Sequence, residues 1–415
     1  MVPPPNALRS WRTLVAAVLV AVAGAVCLAA AASQTDTSGS QFGQRVSLRL
    51  DRAALRAQPG GSALVEKVDG SAFLYFRLLA QQFAARTCYA FRDLRARLPF
   101  VAVHGDAHLE QFVVTEDWFG LTDFDRAGFG PAVVDLVRYA VSIHLACREA
   151  AWPCDANQAV SAYIAAYGAA LDRPVTRVEP ALVRRVRAPQ DRQRWFEWAE
   201  GLMQPLSIEE QRLLATGWAR FLALMEATAP ERPESFYRIV RAGIVRIGIG
   251  SGLEPKTLIR IAGPTDAPDD DLILEGRITT PPDPRDCISR PATGGSLHAL
   301  MFTALLSQRL PEVFGFFPRE GARKEEEIWI QSWDPGHREL LLADLRGQAD
   351  LNELATDAAT QLAGHFWTTF PEQLRGHQRF AQLRALELTD QRARTLASDL
   401  ARETVSEWER FRNRR

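Results

Sequence analysis

The candidates for acid–base or metal chemistry fall within two short stretches: His104, Asp106 and His108 in VHGDAHLEQF, and Asp123 and Asp125 in TDFDRAGFGP. Sixteen residues separate Asp106 from Asp123, room for a hairpin that sets both on one rim. Phosphoryl transfer asks for a carboxylate near the acceptor, a Mg²⁺ held by carboxylate and amide oxygens, and a cradle for the phosphates. Asp106 is the candidate base. Asp123 and Asp125 offer two oxygens for one metal, or for a metal and its supporting contact. The same D-F-D-R-A-G-F-G-P run is also good turn chemistry with no metal, because Asp bonds nearby backbone amides. His104 and His108 either join Asp106 and Asp123 as ligands of a metal-dependent hydrolase, or hold the turn through backbone hydrogen bonds. RIGIGSGLEPK supplies a candidate phosphate loop in which Gly248, Gly250 and Gly252 admit backbone amides to phosphates and Ser251 or Lys256 adds a contact. A plain hairpin accounts for the same residues.

The elements that must position these groups are readable from periodicity. Apolar residues at helical spacing predict a long helix starting near Asp69 or Ser71. FVAVH and WFGLTDF read as buried strands, each delivering acidic residues at its C-terminal end. Pro131 sits where a first helical residue is tolerated, opening PAVVDLVRYAVSIHLACREA. Further helices are predicted for DANQAVSAYIAAYGAAL and for SIEEQRLLATGWARFLALMEATA, where Ser207 and Glu210 form a capping-box pattern. From Ala242 the chain reads as strands, with a smaller strand-rich unit near Ile244 to Ile278. A Pro-rich link then leads to a helix near Leu297 to Arg309, the strand EIWIQSW and two closing helices. The class is α+β, with a catalytic-block region over 69–228, a strand-rich region over 242–280 and closing helices over 348–412.

The chain has 415 residues, 47% hydrophobic and 24% charged, a globular composition with enough length for two lobes. Its 49 basic and 50 acidic residues leave a net charge of −1, so no overall field draws in nucleic acid or an anionic membrane surface. Only Lys67, Lys256 and Lys324 are lysines, which narrows the search for a phosphate-binding ammonium. Residues 1–40 run from Arg9 and Arg12 through an apolar stretch to small and polar residues. That order reads as a secretory signal cleaved after Ala32, or as an uncleaved inner-membrane anchor over residues 13–32. Either version places residues 41–415 outside the cytoplasm, with membrane contact only through the N-terminal segment. Beyond Cys27, the four cysteines Cys88, Cys147, Cys154 and Cys287 allow three pairings. Cys147 and Cys154 flank REAAWP, where a helix end turning back closes a loop; the other reading is four small buried thiols.

Several separated blocks resemble one family. SAFLYFR, HGDAHLEQF, LTDFDRAGFGPAVVDLVRYAVS, VRIGIGSG, EIWIQSW and LASDLARETVSEWERF together look like the bacterial family known as domain of unknown function 2252. That family is grouped with protein-kinase-like and aminoglycoside-phosphotransferase-like folds. The resemblance implies a kinase-like fold, a helix-rich lobe plus a smaller strand-rich lobe, using Mg²⁺ and ATP on a small-molecule or protein substrate. It puts Asp106 at the catalytic aspartate, Asp123 at the metal-binding aspartate, Asp125 at a second acidic position and Asp135 at a loop-bracing carboxylate. Arg77 matches a family arginine of unassigned role. The departures are Gln111 where the family has asparagine, and Glu275 at its lysine position, with Lys256 or Arg277 as substitutes. The glycine loop also follows the catalytic block, as in a permuted lobe order or a different phosphate loop. Two expectations follow: an exported metal-dependent phosphotransferase, or a catalytically degraded, pseudokinase-like binding module of the cell envelope.

Overall fold

The computed structural model describes residues 45–413 except 59, 188–190, 231, 233, 246–255, 266, 280–286, 290–294, 308, 319–326 and 371. It is a mixed α+β structure with antiparallel sheets. The N-terminal segment and Gly248, Gly250, Ser251 and Gly252 lie outside the described residues.

Helix α1 (Ala72–Arg77) begins where the Ser71 hydroxyl accepts from the Leu74 amide at 3.1 Å. It does not continue as the long helix its apolar spacing predicts. The amides of Leu78 and Leu79 bond three residues back, to Tyr75 and Phe76, and α2 (Ala80–Ala90) starts afresh. Phe73, Phe76, Leu79 and Phe83 are all buried, and their spacing would also fit one face of a continuous helix, so the apolar pattern carries no sign of the break. Strand β1 (Phe100–Val103) pairs with β4 (Gly128–Pro131). Between them β2 (Phe112–Val114) and β3 (Phe119–Leu121) form the hairpin separating Asp106 from Asp123. Pro131 is therefore a strand residue opposite Phe100, and helix α3 (Val133–Glu149) opens two residues later than expected. Proline lacks a ladder donor but tolerates the end of a two-stranded pair.

Helices α4 (Ala156–Asp172), α5 (Arg192–Gly201) and α6 (Ile208–Thr228) follow, and α6 carries the expected capping box of Ser207 and Glu210. Later come α7 (Gly295–Ser307), α8 (Gln348–Gly364) and α9 (Glu372–Asn413). Buried Ala355, Ala358, Ala359 and Ala363 let α8 lie close along α4, while α9 runs along α3. Among the described residues no helix is long and apolar enough to cross a membrane.

The strand-rich part is larger than its sequence region suggests. Strands β5 (Ile239–Val245), β6 (Lys256–Ile261) and β7 (Leu272–Thr279) are joined by β8 (Phe314–Pro318) and β9 (Glu327–Ser332) in the order β5-β6-β7-β9-β8. The sheet buries both faces. Ile259, Ile261, Leu272 and Leu274 pack under Trp218, Phe221 and Met225 of α6. Leu258 and Ile273 turn the other way, toward Phe196 and Ala199 of α5 and toward Trp333. Side chains alternate along a strand, so Lys256 shares the face of Leu258, and Glu275 and Arg277 share the face of Ile273. A short β10 (Arg338–Glu339) extends the β2–β3 hairpin.

The pairing left open by the sequence is Cys88 with Cys287 and Cys147 with Cys154.

Candidate functional site

The loop after β1 is built on its backbone. Gly105 has φ of 76°, and a Cβ there would stand 2.2 Å from the Arg126 carbonyl oxygen, so only glycine suits. Asp135, in the first turn of α3, accepts from the His104 amide at 2.6 Å and the Gly105 amide at 2.9 Å. Burial pushes its carboxyl upward against the opposing pull of nearby His104 and these two amides. His104 Nε2 donates to the Thr122 carbonyl at 2.9 Å, which leaves Nδ1 to accept from the Asp106 amide at 3.3 Å. His108 is packed edge-on to Phe73 and Phe76, and its Nδ1 accepts from the Glu110 amide. Burial, then the charges of Arg77 and Arg138, holds its ring well below the ordinary imidazole range. Both histidines thus bond backbone at the turn.

Asp106 accepts from Arg138 Nε at 2.6 Å and also pairs with Nη2. Arg138 is 1% exposed, its guanidinium 4.1 Å from the ring centre of Phe76. Arg77 pairs with Glu110 at 2.7 Å, and Glu110 also accepts from the Leu342 amide. The arginine of unassigned role therefore ties α1, through Glu110, to the chain just after β10.

The second acidic stretch leaves β3 through Asp123, which takes the left-handed conformation at φ 63°. Gln111 Nε2 stands 3.5 Å from Asp123 Oδ2. From across the molecule Arg277 spans both acids, with Nη1 donating to Asp123 Oδ1 at 3.1 Å and Nη2 to Asp125 Oδ1. Its neighbour on the same strand face, Glu275, pairs with Lys256 Nζ at 3.1 Å and accepts from Trp333 Nε1 at 3.1 Å. Enclosure favours protonated acids in this cluster. Even so, Arg277 and Lys256 hold Asp123 well below the usual carboxylate range. Asp125 is pushed up to about 7, by enclosure first and also by the adjoining Asp123 charge, with Arg277 opposing.

All of these groups but Asp125 line a cleft of about 670 Å³ between the five-stranded sheet and the β2–β3 hairpin. Gln111, Asp123, Lys256, Glu275 and Arg277 lie on its polar side. Trp195, Trp198, Trp333 and His337 lie on its aromatic side. The His337 ring stacks on Trp333 with centroids 4.8 Å apart, and burial drives its affinity for a proton down to about 4. Asp106, His104 and His108 do not line this cleft.

The structure thus brings together Gln111, Asp123, Asp125 and Lys256, and holds Asp106 aside against Arg138. Sequence reasoning missed Arg138 and the three tryptophans, and raised Arg277 only as a substitute. Two signals were present: Asp135 and Arg138 are three apart on one helix face, and Lys256, Glu275 and Arg277 keep period-two register with buried residues.

The oxygens of Asp123, Asp125 and Gln111 are of the kind Mg²⁺ prefers. As arranged they do not fit a bound cation, because the guanidinium lies across the face that the two carboxylates would turn to it. Among the described residues no group of three or more His, Cys, Asp or Glu side chains stands at metal-binding separation.

No curated protein and no solved structure matches the chain. Residues 64–204, which carry the Asp106 loop, Asp123, Asp125, Asp135 and Arg138, match the model of a bacterial family described as an uncharacterized protein conserved in bacteria, DUF2252.

Proposed function

We propose that this protein is a kinase-like binding module of the bacterial envelope, taking a small ligand with a flat ring into the cleft and not transferring phosphate. The observation that carries this reading is the Arg277 guanidinium on both Asp123 and Asp125. Metal-assisted phosphoryl transfer needs those oxygens for the cation that bridges the phosphates. The ion pair of Asp106 with buried Arg138 supports the same conclusion, since a general base must reach the proton it abstracts. Trp198, which lines the cleft and is 46% exposed, offers a ring face for stacking. Two disulfides suit a compartment outside the cytoplasm, in keeping with the leader read from residues 1–40.

A second reading, an exported Mg²⁺-dependent phosphotransferase, is favoured by the Gln111 amide beside Asp123 and by the Lys256–Glu275 ion pair. Thermal unfolding with adenosine, AMP and ATP, each in EDTA and in Mg²⁺, separates the two. A ligand at 100 times its dissociation constant adds about 2.7 kcal/mol, a rise of a few degrees. The binding-module reading expects a rise with at least one ligand that is unchanged by EDTA. A rise seen only with Mg²⁺ and ATP, and abolished by Asp123→Asn, would overturn it in favour of the phosphotransferase.

A further inference from the structure

We propose that Arg277 is a built-in cation that excludes divalent metal from the Asp123 and Asp125 pair. This deepens the binding-module reading by making whatever the cleft binds indifferent to Mg²⁺.

The argument starts from strand geometry. Arg277 lies two residues beyond Glu275 on β7, on the face turned to the cleft, and its side chain is 11% exposed. Its planar fork places one nitrogen on each of two carboxylates from a different part of the chain. A cation bridging the pair would have to displace that fork. The displaced guanidinium has poor alternatives: among the described residues the other acid beside it is Glu275, whose oxygen stands 3.9 Å from Nε. Glu275 is already committed to Lys256 and to the Trp333 indole. Arg277 Nε itself is buried with no hydrogen-bond partner, so the side chain is held by the two acids and little else. Removing them would leave an uncompensated enclosed charge. Mg²⁺ sheds its water reluctantly, and here it would also have to displace a guanidinium already paired with both carboxylates. The arginine therefore wins the site.

Removing the arginine should create a metal site rather than destroy one, a gain that misfolding cannot imitate. Mn²⁺ binding to the full chain would be followed by the loss of the free-ion electron paramagnetic resonance signal. The variants are wild type, Arg277→Met, and Arg277→Met with Asp123→Asn. The proposal expects Arg277→Met to bind Mn²⁺ about tenfold or more tightly than wild type, and Asp123→Asn to abolish the gain. Wild type binding as tightly as Arg277→Met overturns it, as does a folded Arg277→Met that gains nothing. Should the Met variant not fold by circular dichroism, Arg277→Gln, which keeps a polar end in the same place, is read by the same criteria. A failure of adenosine, AMP and ATP to stabilise wild type would sink the ligand reading and leave this metal result standing.

Discussion

Asp135 has two partners that nothing else in the loop replaces, the amides of His104 and Gly105, and it is 3% exposed. Asp135→Ala should cost about 3 kcal/mol, because an unsatisfied buried donor forfeits about 1–3 kcal/mol. Asp135→Asn should cost less, since one carbonyl oxygen remains to accept. Urea denaturation of both variants checks the order; a loss below about 1 kcal/mol for the alanine variant would mean that water replaces the carboxylate. The roles of the motif residues separate at this scale. His104 and His108 bond backbone amides and a carbonyl, the task imidazoles perform wherever a turn must be held. Their spacing to Asp106 is the same whether they hold a turn or a metal, so spacing alone could not distinguish the two.

Between elements, the disulfides differ in what they constrain. Cys88 of α2 joins Cys287 across 199 residues, next to the bridge that pairs Ser289 with Phe129 of β4. Cys147 and Cys154 close a separation of 7 between α3 and α4. Loop-closure entropy assigns about 5 kcal/mol to the first and about 2 kcal/mol to the second. Replacing Cys88 and Cys287 by Ser should therefore lower the denaturation midpoint more than replacing Cys147 and Cys154. The reverse order in urea would show that the unfolded chain is already compact around the longer loop. Element boundaries were partly readable in advance. Ser207 and Glu210 cap α6 as their spacing predicts, whereas the break after α1, where the Leu78 and Leu79 amides bond three residues back, was not legible because the apolar spacing runs through it unchanged.

For the whole molecule, acid is the expected weakness. His365 is 3% exposed, and burial pulls its affinity for a proton down to about 4. The unfolded chain binds that proton near 6.5, so its contribution is complete above pH 6.5. It is lost as the pH falls toward 4, on the order of 3 kcal/mol in all. Buried acids such as Asp135, raised by burial, oppose this trend. The comparison that isolates the histidine is wild type against His365→Phe, by urea unfolding at pH 7.5, 5.5 and 4.5. Wild type should lose stability more steeply, and parallel curves would show that His365 is protonated in the folded state.

What the sequence determined by itself was local. Period-two alternation marks Lys256, Glu275 and Arg277 as sharing faces with buried Leu258 and Ile273, and the caps at Ser71, Asp155 and Ser207 start their helices. A hairpin lies between the two acidic stretches, as their separation predicts, but it does not set both on one rim, since Asp106 stands outside the cleft that Asp123 lines. What the tertiary structure alone decided was the pairing of charges. Arg277 meets Asp123 from 154 residues away and Asp125 from 152, and Arg138 claims Asp106. The reason is physical: an element's period fixes which way a side chain points. Which counter-charge waits there depends on how sheet and helices stack, and a buried charge takes the partner that packing presents.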